Sequence, residues 1–393
     1  MLKNKRQRGE KEIKYNLIKF SYIQNILCAK SEGIVRIIMM MEESLMKKRM
    51  LSVMLAGAMA LGLTACTSTG ATSATEAVTA TTESADSMNI YWIGKTLNNP
   101  WWISVSDFAQ KEADALGVNL TIAIPQEEVD LEKQVAMIEA AIEQKADAIV
   151  ISAASSDGVI PSIQKAREQG IKIVNFDTRI SDKSVIDAFV GGDDEAGAYK
   201  AGKYICEQLG GEGEVGIITG LMEQSTGVDR YEGFMRACSE YPGILVVAEQ
   251  SAEWSSDKAA DVTTNILTAN PNIKAIFACN DQMAVGMVNA AKSAGKTAED
   301  LILVGFDGIL DAVDMTMSGD LDAFVSLPNL DEGAMGIKLA AALIMNDNYS
   351  YDREILYECT LVTKEFMEGL TDQTIYEYAA ERFPLRGTTD KGY

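Results

Sequence analysis

The sequence predicts an α/β protein with two doubly wound parallel-sheet lobes, and three observations support this fold class. From Met88 onward, short apolar runs alternate with segments of helical periodicity. The helical segments ending at 115–117, 168–170 and 293–295 each close with a glycine before the next apolar run. Strict β–α alternation indicates parallel sheets with helices on both faces. The length from Met88 onward exceeds that of one ordinary core, so two units of similar size are expected.

The elements follow in order along the chain. Helices are predicted at 101–116, 131–144, 157–169, 195–209, 228–240, 256–269, 282–294, 309–318 and 330–346. Leu131, Val135, Ile138 and Ile142 repeat at helical spacing and define the buried face of the second of these. Apolar runs at 90–94, 172–176, 216–220, 274–279, 301–306 and 323–325 are predicted as strands. The Gly-Gly-Asp-Asp segment at 191–194 is the expected crossing between the lobes.

Composition narrows the classes of function. The chain has a net charge of −22. Residues 1–49 contain 12 Lys or Arg and 5 Glu, a net charge of +7, so the remaining residues carry a net charge of −29. Phosphate backbones repel such an acidic body, so nucleic acid is excluded as a partner. There is no histidine, which removes the commonest general base and the Ser-His and Cys-His nucleophiles. Binding is therefore favoured over catalysis, with no cofactor and no metal.

The N-terminal region carries an export signal. Met46-Lys47-Lys48-Arg49 precedes an uncharged run to Leu63, too short to span a bilayer comfortably. The following Leu-Thr-Ala-Cys resembles the lipobox of bacterial lipoproteins, which implies cleavage before Cys66 and its diacylation; an ordinary signal peptide is the alternative. Residues 46–65 are thus expected to be a signal peptide, and 66–87, rich in Thr, Ser and Ala, a disordered tether. Residues 1–45 are interpreted as a mis-called leader, and a real cytoplasmic extension is the alternative.

The remaining cysteines and one glycine motif carry no separate function. Cys206, Cys238, Cys279 and Cys359 are expected to be buried free thiols, although three full pairings stay possible. Gly211, Gly213 and Gly216 match a dinucleotide fingerprint but precede their strand, so their amides cannot face a pyrophosphate.

Polar and aromatic residues follow the carboxyl ends of the predicted strands, where open parallel sheets bind ligands. Indoles cover the apolar faces of a sugar ring, while carboxylates, carboxamides and a guanidinium bond to its hydroxyls. The positions are therefore expected to form a site for a small polyhydroxylated molecule. Structural alternatives are N-caps for Asn280 and Asp281, core packing for Trp101 and Trp102, a turn at Asp307, pairing of Asp177 with Arg179, and a surface helix position for Arg230.

These strand-end motifs resemble those of ribose-type periplasmic binding proteins, the substrate-binding components of sugar ABC importers. The motifs are Thr96 to Trp102, Phe176-Asp177, Asp229 to Phe234, Phe277 to Ala284 and Val304 to Gly308. The resemblance implies the type I periplasmic-binding-protein fold, with two lobes joined by a three-strand hinge. It implies an N-terminal lobe at 88–191 plus 328–355, a C-terminal lobe at 193–326 plus 356–368, and a C-terminal tail at 369–393.

The resemblance also assigns the ligand-binding residues. They are Lys95, Asn99, Trp101, Trp102, Asp177, Thr178, Arg230, Trp254, Asn280, Asp307 and Ser326. Thr178 stands where ribose binders have arginine, Ser326 where they have glutamine, and Lys95 replaces a small residue. These departures leave the identity of the sugar open.

The resulting hypothesis is a lipid-anchored, extracytoplasmic protein that captures a monosaccharide or related polyol between its lobes. It is expected to act as a monomer, held at the outer face of the bacterial cell membrane, and to deliver ligand to an ABC permease with a separate ATPase subunit. The alternatives are ligand presentation to a membrane sensor, for example of a pentose-like signal, and a glycosidase using Asp177 and Asp307.

Overall fold

The computed structural model describes residues 88–327, 329–345 and 353–369. They form two sheets of 6 strands each, and each sheet with its helices is called a lobe below. From the start of the described chain the elements are β1 (Asn89–Ile93), α1 (Pro100–Leu116), β2 (Asn119–Ala123), α2 (Leu131–Glu143), β3 (Ala148–Ile151), α3 (Ile160–Glu168), β4 (Lys172–Phe176), a 3₁₀ turn (Lys183–Val185) and β5 (Ala188–Gly192).

The chain then enters the second lobe and returns. The elements that follow are α4 (Asp194–Gln208), β6 (Glu212–Thr219), α5 (Ser225–Ser239), β7 (Gly243–Ser251), α6 (Ser256–Ala269), β8 (Ile273–Ala278), α7 (Asp281–Ser293), β9 (Ile302–Asp307), α8 (Leu310–Ser318), β10 (Ala323–Ser326), α9 (Asn329–Met345), β11 (Glu354–Tyr357), β12 (Thr360–Thr363) and α10 (Lys364–Gly369).

Both sheets have the same doubly wound order. The first runs β2-β1-β3-β4-β5-β11 and is parallel throughout. The second runs β7-β6-β8-β9-β10-β12, and only its edge strand β12 is antiparallel to its neighbour. The predicted fold class is confirmed.

Alternation along the strands produces a two-faced sheet in the first lobe. Ile90 and Trp92 of β1 pack in the core that contains Val105 of α1 and Ile337 of α9. Ile93 packs on the opposite face in a separate core, with helices α2 and α3. Because neighbouring strand residues point to opposite faces, the buried strands read as continuous apolar runs in the sequence.

The chain crosses between the lobes at three places. The first crossing follows Gly192 and the second follows Ser326. The third follows Tyr357, later than the boundary expected at residue 355, because Leu356 and Tyr357 still pair with Gly191 and Gly192. The three crossings place the carboxyl ends of both sheets against one another.

Local chemistry explains the helix boundaries. The segment predicted as a helix at 157–169 begins only at Ile160, since Pro161 lies in the first turn, where its missing N–H costs no hydrogen bond.

The cysteines of the described residues are buried and form no disulfide; they are Cys206, Cys238, Cys279 and Cys359. Within the described ranges, no helix combines the length and apolar character needed to cross a membrane.

Candidate functional site

The strand ends of the two lobes border a small cavity. It lies where open parallel sheets hold ligands. Its wall is made by Lys95, Asn99, Trp101, Trp102, Glu128 and Asp177 of the first lobe and by Thr226, Arg230, Trp254, Asn280, Asp307 and Leu327 of the second. Both lobes thus supply aromatic and charged groups to one site.

The start of α1 places two indoles at the cavity. Asn99 is the N-cap, and its Oδ1 accepts a hydrogen bond of 3.0 Å from the Trp101 backbone N–H. Pro100 follows at the first position of the helix, which puts Trp101 and Trp102 in the first turn. The two indoles meet edge to face, with centroids 4.8 Å apart. The cap therefore fixes the aromatic wall and leaves the Asn99 amide nitrogen for the cavity.

An aromatic cluster supports that wall from behind. Phe176, the last residue of β4, stacks on Trp92 at 5.1 Å and meets Trp102 edge to face at 6.0 Å. Both supporting side chains are fully buried. The core interpretation of the tryptophan pair is therefore also correct, because each indole packs on the core and borders the cavity.

Three cavity residues adopt backbone conformations that side chains rarely occupy. The φ angles of Asp177, Trp254 and Asp307 are 54°, 63° and 126°. Such conformations cost on the order of 1 kcal/mol or more each and cluster at binding and catalytic sites. Their coincidence in one cavity supports a ligand-binding role for this end of the molecule.

Arg230 is the centre of a buried ion network in the second lobe. Its Nε donates to Oδ1 of Asp194 at 2.7 Å, and its Nη1 donates to Oδ1 of Asp307 at 2.9 Å and to the Cys279 carbonyl at 2.7 Å. The guanidinium lies 4.0 Å from the ring centroid of Phe306. Within the described chain these bonds occupy Nε and Nη1, which leaves Nη2 available to a ligand.

The loops after β8 and β9 are joined by a buried carboxylate. Oδ2 of Asp281 accepts from the backbone N–H groups of Gly308 at 2.6 Å and Ile309 at 3.0 Å. Asn280, beside it, caps α7 by accepting a 2.8 Å bond from the Met283 N–H. Asp281 thus holds the turn that presents Asp307, while Asn280 is both a helix cap and a cavity residue.

Lys95 is a fully buried cation on the first-lobe side of the cavity, with 2% of its surface exposed. Its Nζ donates to Oγ1 of Thr178 at 2.7 Å and to Oε1 of Gln224 at 3.1 Å. It also lies 3.2 Å from Glu128 and 3.4 Å from Asp177. The two carboxylates compensate the buried ammonium, which would otherwise be very costly to desolvate.

Burial controls the protonation of the carboxylates around the cavity. It raises the pKa of Asp194 to about 6, that of Asp281 to about 7, and that of Asp307 well above its usual value, with Arg230 opposing each rise. Burial also raises the pKa of Glu128 against the pull of Lys95. For Arg230, burial disfavours the charge, but Asp194 and Asp307 outweigh it and raise its pKa.

The structure brings together all of the expected site residues except Thr178 and Ser326. The Thr178 hydroxyl lies behind the wall, bonded to Lys95, to Asp177 at 2.9 Å and to Thr226 at 3.2 Å. Ser326 lies against Gly308, and the next residue, Leu327, borders the cavity instead. Cys66 lies outside the described residues.

Three cavity residues were missed by the sequence interpretation: Glu128, Thr226 and Leu327. Glu128 follows β2 in a loop that carries no recognisable motif. Thr226 and Leu327 are adjacent to expected motifs but are chemically unremarkable. Across the described residues, no group of Cys, Asp and Glu side chains is arranged to hold a metal ion.

Comparison with known proteins defines the class to which this fold and site belong. Residues 90–348 match the family described as periplasmic binding protein domain. The chain belongs to this family. It is similar to the D-allose-binding periplasmic protein of Escherichia coli strain K12, at 37% identity over 252 residues, covering 62% of this chain and 81% of that protein.

Two further comparisons place it within the ribose-type sugar-binding branch. The ribose import binding protein RbsB of Escherichia coli strain K12 is 32% identical over 269 residues, covering 68% of this chain and 89% of that protein. A solved ABC transporter periplasmic solute binding protein from Actinobacillus succinogenes 130z, with bound D-allose, aligns with a TM-score of 0.67 at 33% identity, covering 72% of this chain and 100% of that one. These relatives are binding proteins, so the chain is a binding protein and the glycosidase alternative is wrong.

Proposed function

We propose that this protein captures a monosaccharide or closely related polyol between its two lobes and delivers it to an ABC permease. The observation that carries this proposal is the cavity wall itself. Trp101 and Trp102 line the cavity from one lobe and Trp254 from the other, together with the charged side chains of Asp177, Arg230 and Asp307. Stacking surfaces with a belt of charged donors and acceptors suit a sugar ring and its hydroxyls.

The ligand is expected to differ from ribose in at least one hydroxyl position or in ring size. The Thr178 hydroxyl bonds to Lys95 and is not part of the cavity wall, and the apolar Leu327 borders the cavity where Ser326 was expected. A site built to bond specific hydroxyls strongly rejects analogues that leave a buried group unpaired. The sugars bound by the relatives, D-allose and ribose, are therefore the first two compounds to compare.

A thermal-shift screen against pentoses, hexoses, deoxy sugars and polyols tests the proposal. A ligand that binds the folded state raises the unfolding temperature in a concentration-dependent way. At least one monosaccharide or polyol is expected to do so, followed by titration calorimetry at one-to-one stoichiometry. The absence of any stabilising compound in the panel would refute the proposal.

Membrane anchoring and delivery are separate parts of the proposal with separate tests. The Leu-Thr-Ala-Cys segment ending at Cys66 supports diacylation, and two acyl chains suffice for stable anchoring. Cys66→Ser is expected to release the protein from membranes in the native host and to abolish labelling by an alkyne fatty acid. Uptake of the bound sugar, lost on deletion of the gene, would support delivery to a permease; a transcriptional response without uptake would support the sensor alternative.

A further inference from the structure

Gln224 belongs to no motif in the sequence, and its side chain is completely buried between the lobes. It occupies the N-cap position of α5, with φ −109° and ψ 136°, yet makes no side-chain cap bond. Its amide instead points across the cleft. Because the Gln224 side chain does not cap the helix, its amide can form hydrogen bonds elsewhere, and it forms three.

Each polar end of the Gln224 amide joins a different part of the site. Oε1 accepts from Trp254 Nε1 at 2.8 Å and from Lys95 Nζ at 3.1 Å, and Nε2 donates to the Ala154 carbonyl at 2.9 Å. Trp254 belongs to the same lobe as Gln224, whereas Lys95 and Ala154 belong to the other. One amide therefore links the indole that borders the cavity to the opposite lobe at two points.

The Lys95 ammonium is held by acceptor groups from both lobes. An ammonium has three donors, and Lys95 directs them to Thr178, Gln224 and the carboxylate of Glu128. This arrangement makes Lys95 a cross-lobe contact as well as a residue of the cavity wall. The bond from Lys95 to Gln224 joins residues of different lobes, so it exists only while the lobes are together.

Trp254 needs external support because its own backbone is strained at φ 63°. On one side the indole rests on Gly220, where an added Cβ would come within 2.1 Å of the ring. At its edge the N–H is held by Gln224. The position of the Trp254 indole is thus set by its contact with Gly220, which has no side chain, and by the hydrogen bond from its N–H to the Gln224 amide.

We propose that Gln224 is a positioning residue that couples the placement of the Trp254 indole to closure of the two lobes. This inference rests on the proposed sugar-binding function. When the lobes rotate apart, the bonds from Gln224 to Lys95 and Ala154 break and water replaces them. When the lobes close on a ligand, the same amide is held at both ends and fixes the indole over the cavity. The Gln224 side chain therefore contributes both to the contact between the closed lobes and to the placement of the indole that borders the ligand site.

The test compares Gln224→Met, which keeps length but removes all three bonds, with Gln208→Met, the same change at an exposed position of α4 in the same lobe. Affinity for the best-binding monosaccharide of the panel is measured by titration calorimetry. Closure is measured by small-angle X-ray scattering with and without that sugar. We expect Gln224→Met to weaken binding by about 10- to 100-fold and to lose most of the sugar-induced contraction, while Gln208→Met matches wild type.

A third measurement separates positioning from general stability. In the unliganded, open protein the Gln224 amide is hydrated, so its loss is expected to leave the unliganded unfolding temperature near wild type and reduce only the rise caused by sugar. Gln224→Glu keeps an acceptor for Trp254 and Lys95 and is expected to bind with intermediate affinity. Wild-type affinity and contraction in Gln224→Met, or a lower unliganded unfolding temperature with unchanged affinity, would overturn the inference. A wild type that binds no sugar would overturn both proposals.

Discussion

Nη1 of Arg230 lies 2.9 Å from Oδ1 of Asp307, although 77 positions separate the two residues in the sequence. The same guanidinium holds Asp194 at the start of α4. Arg230 thus ties two helices and the end of β9 together at the cavity wall. Arg230 is therefore a structural residue as well as a proposed ligand contact, so its removal should affect stability as well as binding.

Arg230→Met is therefore expected to destabilise the protein by about 3–5 kcal/mol near neutral pH, since it leaves Asp194 and Asp307 buried without their counter-ion. Losing the cation raises the pKa of both carboxylates further. The folded variant then holds extra protons at low pH, so the loss is expected to be smaller near pH 5 than near pH 8. Urea unfolding of the wild type and the variant at both pH values measures this loss of stability.

The matched control is Arg236→Met on the same helix. That guanidinium is half exposed and pairs with Glu195 at the surface. Exposed pairs contribute little, so a change within about 1 kcal/mol is expected at either pH. Equal effects of the two substitutions would show that the buried network does not stabilise the fold.

Asp307→Asn separates binding from stability more cleanly. The amide keeps the size of the side chain but loses the charge that strengthens hydrogen bonds to ligand hydroxyls, so affinity for the bound sugar should fall by about 10- to 100-fold. Because the amide oxygen of the variant side chain can still accept the bond from Arg230, whose charge Asp194 continues to pair, the unfolding midpoint should stay near wild type. Calorimetric titration, with exposed Asp311→Asn as the control, measures this; full affinity in the variant would remove Asp307 from the site.

Gly220→Ala tests whether the indole above it matters. The new Cβ would come 2.1 Å from the Trp254 ring, so the ring must shift from its position at the cavity and affinity should fall by about 10-fold or more. In a Trp254→Ala background the same glycine substitution should have no further effect, because residues in contact act non-additively. Equal affinity losses in both backgrounds would mean that Gly220 acts through something other than Trp254.

The pH dependence of stability follows from two buried carboxyls. Burial raises the pKa of Asp194 to about 6 and that of Asp281 to about 7, whereas an unfolded Asp titrates near 3.9. The folded state binds more protons than the unfolded chain between about pH 4 and about pH 7, so stability should fall as the pH rises through this interval.

Asp281→Asn should make that fall shallower. The amide oxygen can still accept from Gly308 and Ile309, while the titrating proton is gone. Urea unfolding from about pH 5 to about pH 8 measures the slope for both proteins. An unchanged slope would exclude Asp281 as one of the groups responsible.

Much of this fold was predictable because its determinants are local. Helix ends marked by glycine and helix starts marked by Asn99 or Asn280 are encoded within a few neighbouring residues. The strand-end rule then located Asp177, Asp307 and the tryptophans at one edge. The alternatives weighed for these residues were often true at the same time: Asn280 caps its helix and Trp102 packs in the core, and both also border the cavity.

What was not predictable depends on contacts between residues that are far apart in the sequence. Glu128 and Gln224 lie outside any recognisable motif. Glu128 meets Lys95 within the first lobe, whereas Gln224 reaches it from the second. Thr178 was expected at the ligand because its position in ribose binders holds a long cation. The shorter threonine stays behind the wall, and its hydroxyl accepts a bond from Lys95, which arrives from another strand.

Titration calorimetry of the full chain with the monosaccharide and polyol panel, in parallel with Asp307→Asn, tests the proposed function most directly. The predicted result is one-to-one binding of at least one panel member by the wild type and a loss of about 10- to 100-fold in the variant. No binding by any panel member, or equal affinity in both proteins, would contradict a sugar site between the two lobes.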